Sequence, residues 1–567
     1  MIQLGISAFY HDSAACIVKD GKVLGAVEEE RFTGIKHDSS FPIHSIYWLL
    51  KYLEIKIEDI DRVCWYENPD LKKERVLETF KKHPLKNFWN RRKFLKRHKV
   101  EGNIRDLLVK HLNYTGPIDF VDHHHSHAAF SYYTSPYKDA AIVSIDGVGE
   151  WETVSIYCGV GSHLYKMETV RFPHSLGMFY STFTAFLGFK PNEGEYKVMG
   201  LASYGDYTVY YQKLSELITL KPKGRFEIDQ THFTWEYSDE IMFKKSLGLY
   251  LGIKPRLSSD AITREHRNLA AALQRIYEIV FLHILSYAKK ISSSDSLCLS
   301  GGCAYNGVAN QKAYNVFDSV WVPFAPSDAG SAIGACLANL RTMKRGNRDP
   351  YLGPECDDHE ILKALENFKG KIVVEEAEED AIIIKAAAAI HGGQIIGMIQ
   401  GRMEFGARAL GNRSILASPL RKGMKSKLNR VIKKREGFRP FAPSCTEEDA
   451  HLYFENIEPI PYMSHVVMVK LEHNLPSITH VDGTARLQTV NENQNRYYHK
   501  LLKHLGSLSG YPICLNTSFN FKDQTITMTP QEAIERFLDC EMDALIINNF
   551  YITKSWSKNS SIGSKRN

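Results

Sequence analysis

The sequence lacks several features that mark secreted and membrane proteins. None of its ten cysteines belongs to a C-x-x-C pair or a regular framework, a pattern that predicts free thiols in a reducing cytosol. The first residues, MIQLGISAF, contain no basic segment followed by an apolar one, so we expect no signal peptide. No 18 consecutive residues are all apolar, so we expect no membrane-spanning segment. These absences predict a cytoplasmic protein.

The sequence also has little net charge for its size. A formal charge of +6 over 567 residues suits anionic small substrates but does not by itself argue for nucleic acid. Hydrophobic residues make up 44% and charged residues 24% of the chain, which is the balance of a soluble globular protein. The length exceeds what one hydrophobic core usually supports, so we expect at least two domains.

Two segments of the N-terminal half share one strand–turn–strand pattern. The first is IQLGIS with SAACIVKDGKVLGAVEEER, in which Asp20 and Gly21 supply the turn, and the second is AAIVSIDGVGEWETVSIYCGV at 140–160. A third glycine-rich turn, CLSGGCAYNGVAN at 298–310, follows an amphipathic helix. The apolar face of that helix carries Leu269, Leu273, Ile276 and Val280. This order predicts a duplicated actin-like or sugar-kinase-like ATPase fold, which binds nucleotide phosphates on its turns.

The C-terminal part predicts a separate α/β domain. Residues 345–380 are charged and turn-rich, and they indicate a junction between a first domain at 1–350 and a second at 355–555. Within the second domain, the alanine-rich helix AIIIKAAAAIH is expected to end at Gly392 and Gly393. The polar residues 556–567 predict a disordered tail.

Four histidines lie in the short segment DHHHSHAAF at 122–130. His123 and His127 are four positions apart, so a helix would place both imidazoles on one face, where they could bind one divalent ion. The alternative is a solvated helix N-terminus with Asp122 as its N-cap. Asp146 and Asp328 each follow a predicted strand and offer two further ligands. Two histidines and two aspartates suit Fe(II), Mn(II) or Zn(II), and the sequence does not choose among them.

A set of motifs in chain order makes the sequence resemble the O-carbamoyltransferase family. Members of that family include nodulation-type enzymes and enzymes that carbamoylate aminoglycoside, cephem, ansamycin and guanidinium-toxin natural products. The resemblance covers nearly the whole chain. The motifs are GISAFYHDSAA, EEERF, DHHHSHAA, DGVGE, EYKVMGLASYG, LSGGCAYNGVAN, GRMEFGARALGNRSILA, REGFRPFAPS, VDGTARLQTV and LNTSFNFKDQTI.

The resemblance implies a fold and a two-stage reaction. It implies an N-terminal actin-like ATPase domain of the Kae1-like type and a C-terminal YrdC-like α/β domain. Carbamoyl phosphate and ATP would form carbamoyladenylate in the C-terminal domain. The carbamoyl group would then pass to a hydroxyl of a natural product or sugar at the metal site of the N-terminal domain. The implied metal ligands are His123, His127, Asp146 and Asp328, and among the possible ions we favour Fe(II), with ATP bound as its Mg²⁺ complex.

The resemblance also implies a cationic pocket in the second domain. Arginine forks match phosphate oxygens, glycines let the backbone approach a nucleotide, and a lysine would neutralise developing charge. Lys433 matches the lysine of the family, although Lys434 beside it leaves the choice between the two open. The alternative for so many arginines is a solvated basic face. The other residues implied are Arg402, Arg408, Arg413, Arg439, Arg486, Asn516 and Ser518, with Gly401, Gly406 and Gly411.

Further residues are implied at the transfer site of the first domain. We expect His11 to polarise the carbamoyl carbonyl or to act as general base for the acceptor hydroxyl; the alternative is a structural histidine. Gly301 and Gly302 would approach the adenosine part, and Asn306 would contact the ribose or base. Lys197 would reach the α-phosphate, unless it is only a surface charge.

Two segments are expected to have no chemical role. Residues 72–99 are basic with interleaved aromatics, which favours a packed helical arm over a nucleic-acid surface. Residues 174–189, HSLGMFYSTFTAFLGF, predict a core helix. We therefore expect no nucleic acid or membrane as partner, and a homodimer as the default assembly.

Two other functions compete with the carbamoyltransferase prediction. A tRNA threonylcarbamoylation-type enzyme would need threonine, bicarbonate and an RNA-binding surface. Only the basic segment at 72–99 supports this alternative. A non-catalytic actin-like nucleotide-binding protein would have no need of the arginine-rich pocket.

Overall fold

The computed structural model describes residues 1–83, 103–238, 241–338, 347–455 and 457–555. The chain forms two compact units. Unit 1 consists of residues 1–32 and 37–348, and unit 2 of residues 33–36 and 349–567.

Unit 1 contains two five-stranded sheets with the same topology. In the first sheet the strand order is β3-β2-β1-β4-β5, and in the second it is β8-β7-β6-β11-β12. In each sheet the first three strands are antiparallel and the last two join in parallel. The strands are β1 (Ile2–Ser7), β2 (Ala14–Lys19), β3 (Lys22–Glu28), β4 (Arg62–Trp65), β5 (Ile118–Phe120), β6 (Asp139–Ile145), β7 (Glu152–Val160), β8 (His163–Arg171), β11 (Ser296–Ser300) and β12 (Ser319–Trp321), with the separate hairpin β9 (Ile218–Leu220) and β10 (Phe226–Ile228).

This repetition confirms the duplicated actin-like fold. The two predicted strand–turn–strand units correspond to β1–β3 and β6–β8. Asp20 and Gly21 have φ of 50° and 81°, so both adopt the left-handed conformation of a two-residue hairpin turn. The repeated pattern in the sequence therefore reflects a repeated sheet.

Helices cover the sheets of unit 1. They are α1 (Glu30–Thr33), α2 (Ile43–Tyr52), α3 (Pro69–Lys82), α4 (Ile104–Leu112), α5 (His123–Thr134), α6 (Leu176–Phe186), α7 (Glu195–Ala202), α8 (Thr208–Glu216), α9 (Lys245–Leu251), α10 (Arg264–Ser292), α11 (Gly307–Lys312) and α12 (Asp328–Ala338). The predicted core helix at 174–189 is confirmed by α6, whose residues are almost all buried.

Helices α5 and α12 pack closely because α12 is built from small residues. A Cβ on Gly334 would overlap the carbonyl oxygen of Ser126, and one on Gly330 would lie 2.6 Å from the ring of Phe130. Both contacts are with α5. Glycine therefore allows the two helices to approach closely enough to bring side chains at their N-termini together.

Helix α10 is long and apolar enough to cross a membrane by length and composition alone. Of its most apolar 18-residue window, 72% is buried inside the protein. The predicted apolar positions Leu269, Leu273, Ile276 and Val280 are all buried. A core helix of a soluble protein has these properties.

Unit 2 is built on one mixed sheet of nine strands in the order β13-β21-β20-β14-β15-β19-β16-β18-β17. The strands are β13 (Ile372–Glu376), β14 (Ile396–Ile399), β15 (Arg413–Ala417), β16 (Ala442–Thr446), β17 (His465–Met468), β18 (Thr484–Val490), β19 (Ile513–Ser518), β20 (Ala544–Ile547) and β21 (Phe550–Lys554). Its helices are α13 (Asp358–Asn367), α14 (Glu379–His391), α15 (Met424–Lys427), α16 (Ala450–Tyr453), α17 (Arg496–Ser509) and α18 (Pro530–Leu538). Two apolar clusters contain many of the buried side chains of this unit.

The sequence overestimated the length of the junction. Helix α13 and strand β13 lie inside the predicted junction of 345–380 and belong to unit 2. The prediction took these charged residues as a sign of a linker. They are compatible with a strand because β13 lies at the edge of the sheet, where most of its side chains are exposed. The helix stop at Gly392 is confirmed: it is the C-cap of α14.

Parts of two predictions lie outside the described residues. Within the basic segment at 72–99, α3 ends at Lys82 and buries Phe80, whereas residues 84–99 are not described. The tail at 556–567 is not described either.

Candidate functional site

The two histidines and two aspartates predicted as metal ligands meet in unit 1. His123 and His127 lie on the first two turns of α5, so the four-residue spacing places them on one face. Asp146 directly follows β6, and Asp328 is the first residue of α12. One ligand atom from each of the four residues lies within 4.8 Å of the other three.

The distances describe a compact set of donor atoms. Asp146 Oδ2 lies 3.0 Å from His123 Nε2 and 3.2 Å from His127 Nε2. Asp328 Oδ1 lies 3.7 Å and 3.4 Å from the same two nitrogens. The two Nε2 atoms are 3.1 Å apart. These separations surround a point that lies within bonding reach of all four atoms.

The four ligand side chains are polar and yet lie almost entirely out of contact with solvent. All four side chains are buried, and Asp328 is only 1% exposed. Neither carboxylate oxygen of Asp328 has a hydrogen-bond partner among the described residues. A buried carboxylate without a hydrogen bond is costly, and a divalent cation bound by the four groups would remove that cost. The residues therefore fit a metal ion with nitrogen and oxygen ligands.

Neighbouring groups hold the ligands in this orientation. Ser331 Oγ lies 3.0 Å from His127 Nδ1, which leaves Nε2 facing the cluster. The backbone N–H groups of Gly147 and Gly302 donate to Asp146 Oδ1 at 2.8 and 3.2 Å. The carboxylate of Glu150 accepts from the backbone N–H of His123 at 2.9 Å. Such outer contacts fix the orientation of metal ligands.

The ligands also perturb one another electrostatically. Burial by itself would lower the pKa of His123, but Asp328 and Asp146 raise it to about 9. Burial by itself would raise the pKa of Asp146, but hydrogen bonds to His123 and His127 hold it well below its usual range. The cluster is thus a concentrated negative site that attracts positive charge.

His124 and His125 take no part in this cluster. His124 Nδ1 lies 2.8 Å from Ser155 Oγ, and the ring centroid of His125 is 5.7 Å from that of Tyr157. Asp122 occupies the N-cap position of α5 but makes no side-chain capping hydrogen bond. The alternative of a capped, solvated helix end therefore does not describe this segment.

His11 lies on the turn between β1 and β2 and is paired with its neighbour. Its Nδ1 is 3.0 Å from Asp12 Oδ2, and the other oxygen of Asp12 is 2.6 Å from His37 Nδ1. Burial lowers the pKa of His11, but Asp328, Asp12 and Asp146 together raise it to about 10. His11 therefore lies in the field of the metal-ligand carboxylates. Asp12 and His37 were missed by sequence analysis, although Asp12 stands next to His11 in YHDSAA.

The glycine-rich turn after β11 contacts the same cluster. Gly301 has a φ of 84°, and a Cβ there would overlap the carbonyl oxygen of Ile145. The backbone of Gly302 donates to Asp146. Asn306 caps α11 and exchanges two hydrogen bonds with Gln274, so its amide is used within the fold. Lys197 is half-buried on α7, with Nζ 5.8 Å from the ring centroid of Phe189.

Lys433 is a deeply buried cation of the predicted pocket in unit 2. It is 3% exposed, and its Nζ donates to the carbonyl oxygens of Ser518 and Asn520 at 2.7 and 2.8 Å and to Asn520 Oδ1 at 2.8 Å. Burial, with Arg435 and Arg439 nearby, holds its pKa well below the usual range. Lys434, by contrast, is exposed with a φ of 47°. The two lysines are thus in different environments, and only Lys433 is enclosed among cations.

Two of the predicted arginines donate to backbone carbonyl oxygens. Arg413 is fully buried and donates to the carbonyl oxygens of Gln400, Gly401, Asn412 and Pro354 at 3.0 to 3.1 Å. Arg402 donates to the carbonyl oxygens of Gly353 and Leu352. These contacts support a structural role, in which the guanidinium groups connect the loop between β14 and β15 to residues 352–354 instead of binding phosphate.

The remaining predicted residues also belong to unit 2. Arg408, Arg439 and Arg486 are half-buried. Asn516 is buried and donates to the carbonyl oxygen of Ala409 at 3.2 Å. Ser518 Oγ donates to Asn520 Oδ1 at 2.7 Å. Asn520 was missed by sequence analysis, although it lies two residues after Ser518 in LNTSFN.

Three glycines in the loop between β14 and β15 have positive φ angles. The values are 49° at Gly401, 110° at Gly406 and 122° at Gly411. Within this loop, the buried carboxylate of Glu404 accepts from the backbone N–H groups of Leu410, Asn412 and Arg413 at 2.7 to 3.2 Å. The glycines therefore allow a backbone conformation that wraps around an internal carboxylate.

Two family models of known proteins match the chain. The model of the carbamoyltransferase N-terminus matches residues 2–337, and that of the carbamoyltransferase C-terminus matches residues 387–554. The metal-ligand cluster lies in the first region and Lys433 in the second.

Individual proteins are similar to the chain over most of its length. The uncharacterised protein sll1178 of Synechocystis sp. is 38% identical and aligns over 97% of this chain and 96% of its own. Nodulation protein NolNO of Sinorhizobium fredii is 35% identical over 97% of this chain and 80% of its own. The 3'-hydroxymethylcephem-O-carbamoyltransferase of Streptomyces clavuligerus is 30% identical over 57% of this chain and 58% of its own.

Proposed function

Because the chain belongs to the carbamoyltransferase family and is an enzyme that transfers carbamoyl groups, we propose that it is an ATP-dependent O-carbamoyltransferase. Its donor would be carbamoyl phosphate and its acceptor a hydroxyl of a small natural product or sugar. The observation that carries this proposal is the buried set of His123, His127, Asp146 and Asp328, in which the Asp328 carboxylate has no hydrogen-bond partner among the described residues. A non-catalytic nucleotide-binding protein would have no use for such a set.

The first stage would take place in unit 2. Water cleaves carbamoyl phosphate to carbamate and phosphate. A carbamate oxygen then attacks the α-phosphorus of ATP, pyrophosphate leaves, and carbamoyladenylate forms. The cations around Lys433 support this stage because they would offset the charge of the phosphate oxygens. Arg408, Arg439 and Arg486 would supply guanidinium donors, and Ser518 and Asn520 orient the lysine.

The second stage would take place in unit 1. The acceptor hydroxyl attacks the carbamoyl carbon, the bond from that carbon to the adenylate oxygen breaks, and AMP leaves. His11 is suited to polarise the carbamoyl carbonyl, because Asp328, Asp12 and Asp146 outweigh burial, raise its pKa to about 10 and keep its imidazole protonated. Its Nδ1 donates to Asp12, because an ionised carboxylate can only accept. The Nε2 N–H is therefore the group that remains to donate to the carbonyl oxygen.

The four-residue cluster would hold a divalent cation during this stage. Fe(II) is our first choice, with Mn(II) and Zn(II) as alternatives. A bound cation would act as a Lewis acid beside the carbamoyl carbonyl or the adenylate phosphate. The backbone of Gly301 and Gly302 would approach the adenylate, and Lys197 would approach its phosphate.

A pyrophosphate exchange assay tests the first stage. The protein is incubated with Mg²⁺, ATP and radiolabelled pyrophosphate, with or without carbamoyl phosphate. We expect label to enter ATP only when carbamoyl phosphate is present. Exchange that needs threonine and bicarbonate would indicate the tRNA-modifying chemistry, and absence of exchange with any donor would contradict the proposal.

Three variants separate the two stages. Lys433→Met should reduce exchange at least about 100-fold, because a buried charge at the phosphates is lost. Lys434→Met is the matched control and should exchange as the unmodified protein does. His11→Asn should leave exchange intact but slow carbamoylation of a hydroxyl acceptor by roughly 100-fold or more. A panel of sugars with 3'-hydroxymethylcephem would reveal the acceptor, and full transfer by His11→Asn would show that His11 has no role in the transfer step.

A further inference from the structure

An unassigned histidine lies beside the cationic pocket of unit 2. His480 belongs to the segment between β17 and β18, and its backbone N–H donates to the carbonyl oxygen of Thr484 at 2.7 Å. Its Nδ1 lies 3.0 Å from Thr484 Oγ1. The segment is tied to the chain that precedes α15, because Ser477 Oγ donates to the carbonyl oxygen of Arg421 at 2.6 Å. His480 is thus held in a defined position.

The hydrogen bonds of Thr484 determine which nitrogen of His480 carries the proton. Thr484 Oγ1 donates to Asp482 Oδ1 at 2.7 Å, since a carboxylate has no proton to give. The hydroxyl of Thr484 must then accept from His480. The proton of the neutral imidazole is therefore on Nδ1, and Nε2 carries a lone pair.

That lone pair has no partner. The Nε2 atom is buried and makes no hydrogen bond with any part of the chain that the structure describes. Burial lowers the pKa of His480 to about 4; Asp482 opposes this shift, and Arg486 and Lys425 add to it. The imidazole is accordingly neutral at pH 7, and a buried acceptor of this kind favours a ligand that brings an N–H or O–H donor.

The surroundings of His480 show what else the ligand carries. Arg486 follows Thr484 by two residues on β18, so both side chains lie on one face of the strand. Lys425 on α15 has no ion-pair partner among the residues described here, and burial together with Arg435 lowers its pKa. The same Arg435 also lowers the pKa of Lys433. A lone-pair acceptor therefore lies within a group of cations that favours an anion.

One ligand of the proposed function combines an anion with a nearby N–H donor. Carbamoyl phosphate has phosphate oxygens for the cations and an amide NH₂ for the histidine. We propose that His480 Nε2 accepts a hydrogen bond from the amide nitrogen of the carbamoyl donor, an inference that rests on the proposed function. His480 is then the residue that selects a carbamoyl donor over an acyl phosphate, in which a methyl group replaces the NH₂.

The test compares two donors in the pyrophosphate exchange assay. The unmodified protein and His480→Leu are each assayed with carbamoyl phosphate and with acetyl phosphate. We expect His480→Leu to lower kcat/KM for carbamoyl phosphate by roughly 10- to 100-fold and to leave or raise that for acetyl phosphate. The ratio of the two constants within one preparation does not depend on the fraction of active protein, so partial misfolding cannot mimic the result.

Two further variants complete the design. Lys425→Met removes a charge that would contact phosphate, so it should weaken both donors equally and keep their ratio. Thr484→Val removes the partner that fixes the proton on Nδ1, so it should lower the ratio less than His480→Leu does. An unchanged ratio in His480→Leu would overturn the inference while the proposed function stands. Absence of carbamoyl phosphate-dependent exchange in the unmodified protein would overturn both.

Discussion

At the scale of single residues, Asp328 carries the strongest indication of a bound cation. Its carboxylate is buried at the start of α12, lies 3.4 Å from His127 Nε2, and has no hydrogen-bond partner among the described residues. A carboxylate in that situation is stable only when positive charge approaches it. The arrangement is therefore better explained by ion binding than by packing.

We predict that Asp328→Asn abolishes tight binding of a divalent cation. The change keeps the shape of the side chain but removes its charge and one anionic ligand, so affinity should fall at least about 100-fold. Mn(II) is a suitable probe because it resists oxidation, and its binding can be followed in competition with a metal-sensitive dye. Without metal, the variant should be about as stable as the unmodified protein, because the loss of a buried carboxylate that has no hydrogen bond offsets the loss of its electrostatic contacts with His123 and His127.

Ser331→Ala is the graded control for this prediction. Ser331 contacts His127 Nδ1 and not the cation site itself, so its loss should weaken Mn(II) binding by roughly 10-fold. Equal Mn(II) affinity in Asp328→Asn and the unmodified protein would show that these four residues do not form a metal site.

The sequence predicted which residues converge but not how every polar group is used. The spacing of His123 and His127 and the strand-end position of Asp146 are local signals, and the structure brings these residues together with Asp328. The backbone contacts of Arg413 could not be predicted in this way. In a glycine-rich loop, the sequence is the same whether an arginine binds carbonyl oxygens or phosphate. His480 was missed because its significance comes from an unpaired nitrogen, which no sequence pattern records.

At the scale of elements, the site depends on how closely α5 and α12 approach. The metal ligands His123 and His127 lie on α5, and Asp328 begins α12. Gly334 of α12 lies against the carbonyl oxygen of Ser126 with no room for a Cβ. Packing between the helices therefore sets the distance between the ligands.

We predict that Gly334→Ala weakens both the fold and the metal site. The added methyl group would push α12 from α5 and should destabilise unit 1 by about 1–3 kcal/mol, as overpacked cores do. The separation of Asp328 from the histidines should increase with it and lower Mn(II) affinity. Thermal unfolding and Mn(II) titration of the same sample measure the two effects.

Gly147→Ala is the matched control for this packing effect. Gly147 is next to the ligand Asp146, yet a Cβ there would meet no heavy atom closer than 3.6 Å. We expect near-normal stability and Mn(II) binding. If Gly334→Ala behaves in the same way, the close helix contact does not control the site.

The elements themselves were predictable to different degrees. The duplicated hairpins of unit 1 were recognisable because the turn residues and alternating strands are local in sequence. The order of strands in unit 2 was not, since β14 pairs with both β15 and the distant β20. Pairings between remote strands follow from burial of the whole sheet, and a single sequence contains no direct signal for them.

At the scale of the whole molecule, the family assignment from ordered motifs is confirmed by the two family models. The motifs succeeded because they mark sites in both units and follow one another along nearly the whole chain. The cytoplasmic location, the absence of nucleic acid as a partner and the homodimer stay predictions. All four metal-ligand residues belong to unit 1, and Lys433 belongs to unit 2.

This distribution predicts that metal and nucleotide stabilise different parts of the molecule. Each unit has its own buried core, and a chain of this size is expected to unfold in more than one step. At 100 times its dissociation constant, Mn(II) should stabilise unit 1 by about 2.7 kcal/mol, which corresponds to a rise of roughly 5 °C in the midpoint of one calorimetric transition. A chelator should reverse that shift and leave the other transition in place. In Asp328→Asn neither transition should respond to Mn(II). A metal-dependent shift that persists in this variant, or one confined to the transition that Lys433→Met alters, would place the cation outside the four-residue cluster.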